Sequence, residues 1–204
     1  MNANLNEFAQ PTRYSWLTAF AGKYMNDWLT ISASALATII NEDVKEGGSA
    51  GNHRKLTPYI SASFKPFYHE EFRIRFFYKD IFRLPSFNDL YYQEVGNTKL
   101  RPENARQYNV GLTYSKNVCP FLPYLSATID AYYNKVTDKI IAYPTKNLAV
   151  WSMRNLGEVE IKGIDATGSL SLQPWERIRI NLSGNYTYQQ ALDITNSDPV
   201  SYTH

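Results

Sequence analysis

The 204-residue chain carries 21 Lys and Arg against 19 Asp and Glu, a formal charge of +2, so it lacks the basic field that tracks phosphates and no nucleic-acid partner is expected. No run approaches the ~20 apolar residues of a spanning helix, because Thr30, Ser32 and Ser34 interrupt the longest candidate, Trp28 to Ile40. One cysteine, Cys119, excludes an internal disulfide and a cysteine-rich metal site, while 16 Tyr, 10 Phe and 4 Trp form a ring-rich composition suited to strands and membrane interfaces.

Met1 to Gln10 shows no basic segment followed by an apolar core, so no signal peptide is visible and the chain is expected to be part of a longer protein. Strands are predicted over Arg13–Lys23, Trp28–Ile40 and Leu56–Phe64. Next, Phe72, Ile74, Phe76 and Tyr78 oppose Arg73, Arg75 and Lys79, with charges on one face only. Another strand is predicted over Ala105–Tyr114. Leu125, Ala127, Ile129, Ala131 and Tyr133 then face away from Ser126, Thr128, Asp130 and Asn134. From Gly163 to Ser171, Ile164, Ala166 and Leu170 oppose Asp165, Thr167, Ser169 and Ser171. The clearest period of two lies between Arg177 and Tyr188, where Ile178, Ile180, Leu182, Tyr186 and Tyr188 share one face.

Short turns are predicted near Met25–Trp28, Pro66–Glu71, Lys116–Pro123 and Gln173–Glu176, and each carries large rings: Trp28, Phe64, Phe67, Tyr68, Phe121, Tyr124 and Trp175. Long polar connections are predicted over Asn41–Lys55, Pro85–Glu103 and Tyr143–Val150; the region from Pro85 to Arg106 has room for a helical turn. Short turns on one side, longer loops on the other and rings at the interface are the asymmetry of an outer-membrane barrel. The fold class is therefore all-β, an antiparallel up-and-down meander of about eight strands. Several strands exceed the 9–11 residues that cross a bilayer and are expected to project beyond it.

No catalytic or metal-binding constellation competes. Gly47, Gly48 and Gly51 lack phosphate-loop spacing, His53, His69 and His204 are scattered, and the close pairs Glu70–Glu71 and Glu158/Glu160 follow no hydrolase pattern. No cofactor is implied.

A resemblance rests on specific residues. Phe82-Arg83-Leu84-Pro85-Ser86-Phe87-Asn88-Asp89-Leu90-Tyr91, followed by Gly96-Asn97-Thr98-Lys99-Leu100-Arg101-Pro102-Glu103, closely resembles a signature of TonB-dependent outer-membrane receptors. The matching positions are Phe82, Arg83, Pro85, Ser86, Phe87, Leu90, Gly96, Asn97, Leu100, Pro102 and Glu103; Leu84 replaces a commoner small residue. Tyr133 to Ile141 resembles the family's strand climbing to an outer loop. Asn155 to Asp165 resembles the descent after it, with Asp165 in place of the commoner Glu.

The resemblance implies that residues 1–204 are part of a 22-stranded transmembrane barrel in the outer membrane, without its plug domain and final strands. It also implies a receptor that imports a scarce nutrient such as an iron chelate, haem or cobalamin, with the pattern nearer to siderophore and cobalamin receptors. The partners implied are outer-membrane lipid, the plug of the same full-length protein, TonB through the missing N-terminal part, and a small-molecule nutrient. Loop residues Tyr91, Tyr92, Gln93, Tyr143, Trp151 and Arg154 are the expected substrate-binding set, because rings with a few hydrogen-bonding groups suit a large, partly apolar chelate or corrin. Against this stand a small outer-membrane enzyme barrel and a soluble β-sandwich binding module.

Overall fold

Alternating apolar and polar residues pair into one antiparallel sheet. The computed structural model describes residues 10–45, 49, 51–69, 71–92, 95–144, 151–195 and 200–202. Its strands are β1 (Pro11–Met25), β2 (Leu29–Val44), β3 (His53–Phe64), β4 (Glu71–Arg83), β5 (Glu103–Lys116), β6 (Tyr124–Pro144), β7 (Trp151–Trp175), β8 (Ile178–Asp193) and the short β9 (Val200–Tyr202). Each pairs with the next in chain order, giving the eight-strand meander expected plus a three-residue ninth strand. Helix α1 (Phe87–Tyr91) supplies the anticipated helical turn between β4 and β5. Among the described residues no second sheet packs on either face, which removes the sandwich alternative.

Directly paired residues of an antiparallel ladder project to the same side, so the register assigns every side chain to one of two faces. One face is apolar and exposed across the sheet: Trp16 and Phe20 on β1, Ile60 on β3, Phe76 on β4, Val110 and Leu112 on β5, Ile129 on β6, Ile164 on β7 and Leu182 on β8. Trp16 is 71 % and Phe20 73 % exposed, which only a lipid or protein neighbour tolerates over so large an area. The other face, which carries α1 and is termed inner, presents Arg75, Lys79, Gln107, Asn109, Asp130, Asn134, Asp165 and Thr187.

The apolar face ends at a sharp border toward the long loops. In chain order the last ring or aliphatic residue and the polar residue beyond it are Tyr14/Thr12, Ile39/Asn41, Leu56/Arg54, Tyr78/Asp80, Tyr108/Arg106, Tyr133/Lys135, Ile164/Lys162 and Tyr188/Gln190. Tyr78, Tyr108 and Tyr133 form a contiguous ring row, with centroids 5.1 and 6.2 Å apart. Rings also line the turn side, where Trp28 meets Phe64 edge-on at 5.8 Å and Phe67 meets Phe72 at 5.9 Å. Two ring-lined borders bracket the band, as girdles bracket a bilayer.

Followed across the register, the loop-side border steps in one direction, by about two residues at β1/β2 and β2/β3, four at β3/β4 and two at β6/β7, and stays level at the other three pairs. A stagger of about ten residues at ~3.3 Å across seven spacings of ~4.8 Å makes the strands lean about 45° to a flat border, at the upper end of the tilt of outer-membrane barrels. At that tilt the about six to ten residues between borders span about 14–23 Å, within the ~25 Å height of the apolar band of such barrels.

Two connections are shorter than the sequence pattern suggests, because the strands continue past the border. Asn41 to Val44, assigned to a loop from their polarity, extend β2, since Glu42 ion-pairs across the ladder with Arg13 at 2.6 Å. β6 and β7 reach 21 and 25 residues and form a hairpin well above the band.

The face assignment has a direct test. Ile129 lies mid-band on the outer face, and its neighbour Thr128 points inward. Ile129→Arg should destabilise insertion of the full-length protein into lipid vesicles by about 2–4 kcal/mol, while Thr128→Arg inserts like the parent. Equal insertion of both variants, read as the denaturant midpoint of refolding, would refute the assignment.

Candidate functional site

The long connection 84–102 folds onto the inner face at the loop-side rim. Ser86 caps α1: its hydroxyl accepts from Asp89 N at 3.2 Å and Asp89 Oδ2 accepts from Ser86 N at 2.9 Å, a reciprocal capping box. Leu90, Tyr91 and Leu100 then bury against Ile140, with Val44, Phe87 and Met153 packed around them. A Cβ on Gly96 would run into the backbone of Leu90 and Tyr92, so only glycine lets the chain fold back there. Beneath the helix, Arg13 binds Glu42, donates to Pro85 O at 3.1 Å and lies 4.7 Å from the Phe87 ring. Tyr91 donates its hydroxyl to Glu42.

The second half of the connection is clamped to the β6–β7 hairpin. Asn97 donates to Met153 O at 2.9 Å and Met153 N to Val95 O at 2.9 Å. Asn155 copies a ladder step with its side chain, accepting from Arg101 N at 2.8 Å and donating to Arg101 O at 2.9 Å and Asp138 O at 2.7 Å. Its placement follows from an offset in the hairpin, where Asp138 and Gly157 have no cross-strand partner and Asp138 takes φ 55. Arg101 holds that residue by ion-pairing with its carboxylate.

Lower on the inner face, one transverse row reads Ser63, Arg75, Gly111, Asp130, Asp165, Thr187. Arg75 reaches over β5 to both oxygens of Asp130, at 3.0 and 2.8 Å. A Cβ on Gly111 would fall inside the contact radii of both groups, so the missing side chain opens the path for the pair. Asp165 stands next in the row with a buried Oδ1 that has no hydrogen-bond partner among the described residues. Such an orphaned acceptor points to a donor supplied from the lumen side.

The expected binding residues separate. Tyr91 is buried at 8 % exposure beneath the rim connection, whereas Tyr92 is 61 % exposed at its surface. Gln93 lies outside the described residues. Arg154 stacks 5.2 Å from the Tyr143 ring, and the register puts both on the outer face of the hairpin. Trp151 faces the opposite way, with Met153, toward the rim cluster. An odd spacing between 151 and 154 on an extended strand already dictates this split, which loop-based reasoning did not use. Glu42, Asn155 and the Arg75–Gly111–Asp130 row had no sequence signal, because each depends on which residues lie opposite in the ladder.

Known proteins share this architecture. A family profile described as TonB dependent receptor-like, beta-barrel matches residues 12–203. A vitamin B12 transporter, BtuB, from Vibrio vulnificus is 34 % identical over 84 residues, covering 41 % of this chain and 13 % of the relative. Its counterpart from Photobacterium profundum is 31 % identical over 94 residues, covering 44 % and 14 %. Among solved structures, the copper transporter OprC overlays with a TM-score of 0.66 at 13 % identity, over 88 % of this chain and 30 % of that one. The FrpB iron transporter from Neisseria meningitidis (F3-3 variant) does so at 0.61 and 12 % identity, over 94 % and 28 %. The matched region is thus about one seventh of the curated relatives and under a third of these two structures.

The clamp makes Asn155→Ala informative. Losing three side-chain hydrogen bonds should cost about 1–3 kcal/mol locally and speed hydrogen exchange in 95–102 and in the hairpin above Asp138, with exchange at Val110 and Ile129 unchanged. Unaltered exchange at the rim would show that packing of Leu90 and Leu100 alone holds the connection.

Proposed function

Because the chain belongs to the TonB-dependent receptor family, as part of its outer-membrane β-barrel, we propose that it forms wall and rim of a receptor that binds a scarce nutrient and imports it. The observation that carries this reading is the connection 84–102: instead of capping the barrel from outside, it folds down onto the inner face, leaving Tyr92 exposed above a polar wall. A rim that narrows the lumen with rings suits capture of a large, partly apolar ligand. A corrinoid is favoured first, because two curated relatives are vitamin B12 transporters; a metal chelate is second, given the copper and iron transporters of the same fold.

Tyr92 and Trp151, with Gln93 beside them, are the proposed ligand contacts. Tyr91 acts through position, holding the helix to Glu42, and the Tyr143–Arg154 stack belongs to the outer surface of the hairpin. The full receptor is proposed to close at 22 strands around a plug and to draw its energy from TonB. In that arrangement a plug N–H or cationic side chain satisfies Asp165 Oδ1, beside the Arg75–Asp130 pair.

Two measurements bear on this. Titrating the full-length receptor with cyanocobalamin, a ferric siderophore and a copper salt should show saturable binding of the corrinoid or a chelate, and no binding of any of them would contradict the reading. Tyr92→Ala with Trp151→Ala should weaken that binding about thirtyfold or more, the cost of losing buried ring contacts, whereas Tyr143→Ala leaves it unchanged. Equal affinities in all three proteins would remove these rings from the site.

A further inference from the structure

Immediately above the tyrosine row, the outer face carries a charged recess for which nutrient import has no use. We propose that it docks the phosphorylated sugar headgroup of an outer-leaflet glycolipid. The recess is about 390 Å³ and is lined by Lys55, Asp80, Asn104, Arg106, Lys135 and Glu158. Arg106 and Lys135 oppose each other in the β5–β6 register, one outward position above Tyr108 and Tyr133, and Asp80 opposes Arg106 above Tyr78. Lys55 enters from β3, whose pairing with β4 stops at Tyr59/Lys79 and leaves the upper parts of the two strands unpaired.

Position and chemistry select the occupant. The rings at the border mark the level of the headgroups, so anything in this recess sits where the outer leaflet presents its polar groups. Three cations against two carboxylates leave a net positive site. The existing pairing is loose: Arg106 Nε is 3.7 Å from Asp80, with its side chain 64 % exposed, and Lys135 meets Glu158 at 2.8 Å on a half-exposed surface. Exposed pairs of this kind exchange readily for a better anion. Lys162, beside Tyr133 in the register, is exposed with no ion-pair partner among the described residues and extends the cationic strip.

A phosphate alone does not use the rest of the lining. Asn104 Oδ1 is buried with no hydrogen-bond partner among the described residues, and Asp80 and Glu158 add carboxylate acceptors. Acceptors interleaved with cations match a ligand that has both phosphate oxygens and sugar hydroxyls. Its acyl chains would then descend over Val110, Leu112, Ile129 and Ala131. The inference rests on the outer-membrane placement and not on which nutrient is carried, so its failure would leave the ligand titrations above untouched.

The test uses the full-length receptor, delipidated in detergent, with a bis-phosphorylated glucosamine-disaccharide lipid as probe and native mass spectrometry as readout. The parent should retain this lipid at least roughly tenfold more tightly than its dephosphorylated form, a phosphatidylglycerol, or inorganic phosphate, as expected where two or more charge-assisted contacts are lost. Lys55→Gln/Arg106→Gln/Lys135→Gln should abolish the preference, and the single Lys135→Gln should reduce it even if the triple variant folds poorly. Arg73→Gln/Arg179→Gln, which removes two cations from the inner face near the turns, should leave it intact. Equal retention of the glycolipid by parent and Lys135→Gln, or equal retention of phosphatidylglycerol and glycolipid by the parent, would overturn the proposal.

Discussion

Hydrocarbon offers no partner to a peptide group, so a chain that crosses it as strands must pair every N–H and C=O with a neighbouring strand. That constraint fixes the ladder, and the ladder fixes the rest. Once Tyr78, Tyr108 and Tyr133 stand opposite one another, the residues on either side alternate between lipid and lumen without further choice. The loop-side border then has to stay level in the membrane, and the strands lean until the staggered series from Tyr14 to Tyr188 becomes flat. Tilt here is a consequence of where apolar residues stop on each strand.

Above the border the constraint is lifted and the chemistry changes. The β6–β7 hairpin tolerates an unpaired Asp138 with positive φ, because an offset at that height exposes backbone to water and to Asn155 and Arg101 rather than to lipid. The same freedom lets the connection 84–102 leave the sheet, form a one-turn helix and bury its few apolar residues against Ile140. That cluster is the closest thing to a soluble core among the described residues. The family motif reads as its parts list: Ser86 for the cap, Gly96 for the tight return, Leu90 and Leu100 for packing, Asn97 for the clamp, and Glu103, which accepts from Ile140 N at 3.2 Å.

Much of this was legible in the sequence, and the boundary of legibility has a physical cause. Strand existence and facing were readable wherever lipid enforces alternation, as between Leu125 and Tyr133. Strand ends were not, because Asn41 to Val44 are polar on both faces once outside the membrane, and only the Arg13–Glu42 pair shows that they remain in the ladder. Contacts between strands stayed hidden for a related reason. Gly111 looks like any glycine until the register sets it between Arg75 and Asp130. Tyr143, Trp151 and Arg154 look like one aromatic group until the hairpin turns Trp151 to the opposite face.

The claim on which everything else depends is the level border, and a cysteine scan tests it most directly. With the exposed Cys119 replaced by Ser, single cysteines from Asn104 to Tyr114 on β5 and from Leu125 to Thr137 on β6 would be labelled with a fluorophore in the full receptor, reconstituted with quenchers at known acyl depths. The account predicts strong quenching at alternate positions only, at Tyr108, Val110 and Leu112 and at Ile129, Ala131 and Tyr133, falling away at Arg106 and Lys135. Quenching without a period of two, or continuing undiminished past Arg106 and Lys135, would contradict it.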